Sequence, residues 1–196
     1  MIKRIFDIIF SAIGLLFLLP FFFIISVFIT SNSKGGIFYK QIRVGKNEKN
    51  FFLYKFRTMY TGADKKGELT IGMKDNRITD IGYFLRKYKI DELPQLLNVF
   101  IGNMSFVGPR PEVPKYVAMY NQEQKKVLQV KPGITDYASL KYFNENEVLA
   151  KAENAEAAYI NEVMPEKLNL NLKYIQEKNF TTDLKIIFKT LLRIVS

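Results

Sequence analysis

Three residue types are missing from this 196-residue chain: cysteine, histidine and tryptophan. Without cysteine there is no disulfide framework, no thiolate nucleophile and no Cys-rich metal site. Without histidine there is no Ser-His-Asp triad and no imidazole base or metal ligand. Acid–base and nucleophilic chemistry therefore falls to Asp, Glu, Lys, Tyr, Ser or Thr. A metal would have to sit among oxygens, which points to Mg²⁺ or Mn²⁺. Negative charge is also sparse. The 19 Asp and Glu face 29 Lys and Arg, for a net charge of +10 and a pI near 9.6. That balance favours an anionic partner: nucleic acid, an acidic membrane surface or a phosphorylated small molecule. No nucleic-acid motif accompanies the charge, and much of it flanks apolar segments, which argues against nucleic acid. The length suits one domain with a core large enough to fold unaided.

What the chain does have is a long uncharged run over residues 8–33. Its apolar heart, Ile8 to Ile29, would be about 33 Å long as a helix, enough to cross a bilayer. It is too long for a signal peptide, and no small-x-small cleavage site follows. Pro20 near its middle removes a backbone hydrogen bond and favours a kink. Basic residues flank both ends, Lys3 and Arg4 before and Lys34, Lys40, Arg43, Lys46 and Lys49 after. Since such residues stay on the cytoplasmic side, two readings stand: a single-pass anchor, or a re-entrant helix that bends at Pro20 and leaves by the face it entered. Either divides the chain into a membrane-inserted segment, 1–33, and a cytoplasmic domain, 34–196. Near the other end, Leu184, Ile187, Phe188, Leu191, Leu192 and Val195 share one helical face and Lys185, Lys189 and Arg193 another. Such a helix lies in the headgroup plane or packs on its own domain.

Between these segments, Ile37–Val44 and Asn50–Thr58 are rich in β-branched and aromatic residues and flank Gly45-Lys46-Asn47, predicting a β-hairpin. Gly62–Asp80 reads as a loop, and Ile81–Tyr88 and Leu93–Phe100 as short helices, the latter with Pro94 in its first turn. Val113–Val130 reads as a longer helix and Ala150–Val163 as another. The expected fold class is helix-dominated α+β with one small sheet and amphipathic interfacial helices.

The most pointed acidic pair is Asp91-Glu92, directly ahead of Pro94. A carboxylate at a helix N-terminus meets unpaired N–H groups that favour its ionised form, and an ionised aspartate can attack phosphorus without a general base. The same spacing also describes an ordinary acidic cap. Several cations accompany the pair: Lys55 and Arg57 at the end of the hairpin, then Arg86 and Lys87, then Arg110. Pro109 and Pro111 stiffen the loop on both sides of Arg110, presenting its guanidinium as a phosphate fork or as a surface arginine in a rigid turn.

At these residues the sequence resembles the bacterial sugar transferases, the monotopic phosphoglycosyl transferases. The matching segments are Lys3-Arg4-x-x-Asp7, Pro20, Gln41-x-Arg43-x-Gly45 and Lys55-Phe56-Arg57-Thr58-Met59. They continue with Asp91-Glu92-Leu93-Pro94-Gln95, Gly102-x-Met104-Ser105-x-Val107-Gly108-Pro109-Arg110-Pro111 and Lys131-Pro132-Gly133-Ile134-Thr135. Each is modest alone; in order, over nearly the whole chain, they make a specific signature. The resemblance implies transfer of a phosphosugar from a UDP-sugar to undecaprenyl phosphate in the bacterial inner membrane, with release of UMP. It implies Asp91 as the nucleophile that carries a covalent phosphosugar, Glu92 as its dyad partner, and Mg²⁺ held at both. Lys55, Arg57, Arg86, Pro109, Arg110 and Pro111 fall at substrate-binding positions, and Lys3, Arg4 and Pro20 at the membrane segment, which in the family is re-entrant. The alternative is a non-catalytic basic protein of the membrane surface with a single-pass anchor. Three departures stand out. Leu19 replaces the family's serine before Pro20, Asp136 follows Thr135 where relatives carry glycine, and no arginine lies around Phe143. The sugar is not legible.

Overall fold

The computed structural model describes residues 2–63 and 75–195. It begins with helix α1, Ile2–Asn32, with Pro20 inside it. One stripe of α1 faces the rest of the protein. Asp7 and Ser11 are buried on it near the start, and Ile25 and Ile29 near the end. Arg4 donates to the carbonyls of Val99 (2.6 Å) and Phe100 (2.8 Å), and Asp7 accepts from Ser105 Oγ and the Phe106 amide. Further along, Phe22, Ile25 and Ile29 pack with Phe56 and Leu85. The opposite face, including Ile13, Leu16, Phe17, Leu19 and Phe23, is exposed.

The expected hairpin forms: β1 (Phe38–Val44) pairs antiparallel with β2 (Asn50–Phe56), Gln41 opposite Leu53. The expected first short helix is α2 (Asp80–Lys87), capped by Thr79, whose hydroxyl accepts from the Gly82 amide at 3.0 Å. A 3-10 turn, Ile90–Glu92, then leads into α3 (Gln95–Ile101), for which Pro94 is the N-cap. Asn98 of α3 is fully buried. Its amide donates to the Phe52 carbonyl (2.7 Å) and its oxygen accepts from the Tyr54 amide (3.0 Å), fastening β2 to α3.

Two expectations need correction. The sheet is not alone: β3 (Ser105–Val107) pairs in parallel with β4 (Gly133–Thr135). These strands are too short for alternation to announce them. Where they continue into Gly108, the chains approach so closely that a Cβ on Gly133 would lie 2.1 Å from the Gly108 nitrogen. The long helix over Val113–Val130 breaks up as well. Only Pro114–Val117 (α4) is helical, and a 3-10 segment, Gln124–Gln129, follows later. Asn121 and Gln124 divide them by trading side-chain oxygens for each other's amides, both at 2.9 Å, a local bond that competes with the helix.

The rest is helical: α5 (Tyr137–Lys141), α6 (Glu145–Leu149), α7 (Ala155–Ala158), a π turn over Tyr159–Val163, α8 (Met164–Glu177) and α9 (Phe180–Val195). The helix expected over Ala150–Val163 thus starts late, where Asn154 caps it through the Ala157 amide, and runs on into α8. Most of the loop expected over Gly62–Asp80 lies outside the described residues. The class is helix-dominated α+β. α9 is tied to the start of α1: Lys3 Nζ donates to Val107 O (2.8 Å), Tyr174 Oη (2.9 Å) and Asp183 Oδ2 (2.7 Å).

Candidate active site

The hairpin, α2, α3, the β3–β4 turn and α5 surround a cavity of about 1530 Å³. Asp91 and Glu92 both line it, and their environments differ sharply. Glu92 is held by cations on both oxygens. Oε1 accepts from Lys55 Nζ at 2.8 Å and from Arg110 Nη2, and Oε2 faces Arg110 Nη1 at 3.3 Å. Burial alone would raise its pKa, but Arg110 and Lys55 together outweigh it and hold Glu92 well below the usual carboxylate range. Glu92 in turn raises the pKa of Arg110.

Asp91 is 7% exposed, and its carboxylate accepts no hydrogen bond among the described residues. Burial pushes its pKa up, with Glu92 adding to the rise and Lys55, Arg86 and Lys89 opposing it. The bonds expected from helix N–H groups to this carboxylate are not formed among the described residues. Asp91 sits in the 3-10 turn ahead of α3, and no side chain caps that helix. Among the described residues Asp91 is thus the uncommitted carboxylate of the pair and Glu92 the ion-paired one.

Two more cations face the pair. Arg86 of α2 lines the cavity without a hydrogen bond or ion pair among the described residues. Lys89 also lines it, with its ammonium 5.2 Å from the centre of the Phe143 ring. Its backbone is left-handed (φ 57°), which turns the chain sharply between α2 and the Asp91 turn. Burial lowers the pKa of both groups, and the two carboxylates support their charge. A carboxylate with no hydrogen bond beside two cations with no ion pair, among the described residues, suits an incoming group that carries its own negative charge.

The comparisons give this arrangement its context. The family model for bacterial sugar transferases matches residues 1–196. The chain belongs to that family. The sugar transferase EpsL of Bacillus subtilis (strain 168) is 36% identical over 195 residues, 99% of this chain and 87% of that protein. The UDP-glucose:undecaprenyl-phosphate glucose-1-phosphate transferase of Klebsiella pneumoniae is 33% identical over 199 residues, 97% of this chain and 39% of that protein. The UDP-N-acetylgalactosamine-undecaprenyl-phosphate N-acetylgalactosaminephosphotransferase of Aeromonas hydrophila is 33% identical over 198 residues, 100% of this chain and 44% of that protein. This bacterial sugar transferase thus spans less than half the length of the last two.

Of the site residues expected from the transferase's sequence, Asp91, Glu92, Lys55, Arg86, Arg110 and Pro111 come together around the cavity. Others are committed elsewhere. Arg57 reaches the cavity wall, but its guanidinium is bound to Ser33 Oγ (2.8 Å), Ser33 O (2.8 Å), Lys34 O (2.9 Å) and Gly36 O, closing the end of α1. The carbonyl of Pro109 accepts from the Gly133 amide at 3.0 Å and braces the strand turn. Lys3 and Arg4 bind the protein rather than flank it, and Pro20 is exposed on α1.

Three contributors were not read from the sequence as site residues. Lys89 carries no motif beyond its charge. Asp136, noted only as a departure, is fully buried. It caps α5 through the Ser139 amide and accepts from the Arg110 amide at 3.0 Å, fixing the loop that holds Glu92. Arg43 supports the same loop from the other side, donating to Pro111 O (3.0 Å) and Glu112 Oε1 (2.9 Å). As for a metal, no group of three or more acidic side chains forms among the described residues. Mg²⁺ commonly takes only one or two carboxylates and completes its shell with water and substrate phosphates. The uncommitted oxygens of Asp91 fit an ion of that kind.

Proposed function

We propose that this transferase moves a phosphosugar from a UDP-sugar to undecaprenyl phosphate at the cytoplasmic face of the bacterial inner membrane, through a covalent intermediate on Asp91. The observation that carries the reading is the asymmetry of the pair: Glu92 is saturated by Lys55 and Arg110, while Asp91 is buried and unbonded. An Asp91 oxygen attacks the sugar-bearing phosphorus, the P–O bond to the second phosphorus breaks, and UMP leaves with that electron pair. The acceptor's phosphate oxygen then attacks the same phosphorus, the bond to Asp91 breaks, and the carboxylate is restored with a polyprenyl diphosphosugar as product.

Arg86 and Lys89 suit the diphosphate before attack and the leaving phosphate after it, while Arg110 stays aligned by Glu92 and Asp136. Of the two carboxylates expected to hold Mg²⁺, Asp91 would ligate it, which would supply charge neutralisation on the diphosphate, while Glu92 has both oxygens taken by Lys55 and Arg110. The names of the relatives support the donor and acceptor classes. For α1 the reading is a helix that enters and leaves by one face. Its start is bound at Val99, Phe100 and Ser105 and its end at Phe56 and Leu85, all on one body, whereas a straight crossing would carry one end away from that body.

Exchange of labelled UMP into the UDP-sugar, with no acceptor present, tests the covalent step. The expected result is exchange in the native protein and none in Asp91→Asn. Undiminished exchange in that variant would refute the assignment.

A further inference from the structure

The cavity is larger than the several hundred Å³ typical of small-ligand sites, and its two ends differ in character. One end holds the charged groups around Asp91. The other is lined by Phe6, Phe10 and Gly14 of α1 and by Ile187, Leu191 and Ile194 of α9. Phe10, Leu191 and Ile194 are each about half exposed, so this apolar arm opens where the bare faces of α1 and α9 meet. The seam is held beside the arm rather than across it. Lys3 ties α1 to Asp183, the Thr135 and Thr190 hydroxyls pair at 2.6 Å, and the Phe6 ring sits edge-on to Phe106 and Phe180. At Gly14, which also lines the cavity, α1 packs closely on α3: an added Cβ would lie 3.2 Å from Leu96 Cδ1.

We propose that this arm seats the first isoprene units of the acceptor, so that the chain lies between α1 and α9 and its phosphate arrives at the Asp91 end. The inference rests on the acceptor class given above and adds the residues that select it. A phosphate joined to a long apolar chain matches a cavity with a cationic end and an apolar end that opens onto a lipid-facing surface. The bare surfaces of α1 and α9 continue the arm outward, so a chain too long for the cavity need not leave an apolar environment.

The test uses the native protein in lipid nanodiscs with a polyprenyl phosphate carrying a photoreactive diazirine on its second isoprene. Adducts within residues 6–14 and 187–194 are expected, and adducts confined to other segments would overturn the proposal. The variants Ile194→Asp and Leu191→Asp, both at half-exposed positions of the arm, give a second measurement. The KM for undecaprenyl phosphate should rise at least tenfold, with UMP exchange, which involves no acceptor, intact. An unchanged KM for the long acceptor in both variants would sink the arm as its seat while leaving the covalent reading in place. Absence of exchange in the native protein would instead remove the covalent reading, so the two failures are distinguishable.

Discussion

Replacing Asp91 with asparagine should abolish transfer and, at neutral pH, make the protein more stable. The side chain is 7% exposed, accepts no hydrogen bond among the described residues and has its pKa raised by burial and by Glu92 despite three nearby cations. A raised carboxyl pKa means that the folded protein disfavours the charge more than water does. A neutral isostere removes that penalty. A fully enclosed polar group without a partner costs about 1–3 kcal/mol, more if charged; the Asp91 oxygens face the cavity and pay less, and the lost attraction to Lys55, Arg86 and Lys89 offsets part of the gain. A net gain of about 1 kcal/mol remains, which for a chain of this length is a rise in Tm of about 2–4 °C. The pH dependence has a definite sign. The folded-state pKa lies above the usual 3.8, so the folded protein takes up its proton first as pH falls. The advantage of the variant is therefore full above the raised value, shrinks through it and vanishes below 3.8. Thermal melts followed by circular dichroism at 222 nm, in nanodiscs at several pH values, measure it. A lower Tm for Asp91→Asn at neutral pH would show that the cations stabilise the charge on balance and would refute the argument.

Glu92→Gln should act in the opposite sense and lower stability by about 1–2 kcal/mol. The full cost of stranding a buried ion is reduced because the amide still accepts a bond and the Arg110 side chain is 32% exposed. Because the folded-state pKa of Glu92 is depressed, the stability it confers is present above 4.5 and fades as pH falls below that, so the gap between the two proteins should close in acid; a constant gap would contradict the assignment. Gly133→Ala would push a Cβ to 2.1 Å from the Gly108 nitrogen, backbone against backbone, and should cost about 2–3 kcal/mol, so an unaltered melt would show that the β3–β4 approach is looser than described. A cysteine replacing Ile2, the sole thiol in the chain, should be shielded from a membrane-impermeant maleimide added to intact cells, and labelling from outside would establish a straight crossing instead.

How much of this was readable beforehand varies with the range of the interactions involved. The hairpin was legible because its β-branched and aromatic composition and the turn at Gly45 are local, and α9 because its apolar and basic stripes repeat at helical spacing. The β3–β4 pair was not, since two three-residue strands around Gly108 and Gly133 carry no period. The break inside Val113–Val130 depends on a bond between Asn121 and Gln124 that spacing alone does not reveal. In the site, the proline-flanked Arg110 and the acidic pair were visible as motifs, but the different states of Asp91 and Glu92 arise from packing among β2, α2 and the Arg110 loop. Lys3 and Arg4 looked like flanking charges because their acceptors lie about a hundred or more residues away.

The tie between Lys3 and Asp183 also sets an order of events during synthesis. Its two ends lie 180 positions apart, and at translation speeds of about 5–20 residues per second the first waits on the order of ten seconds or more for the second. Throughout that interval the apolar leading segment has to be sheltered by lipid or by a chaperone, because the seat for its basic end does not yet exist. Final closure of the molecule is thus a head-to-tail event, and any lesion that shortens the tail should also loosen the head.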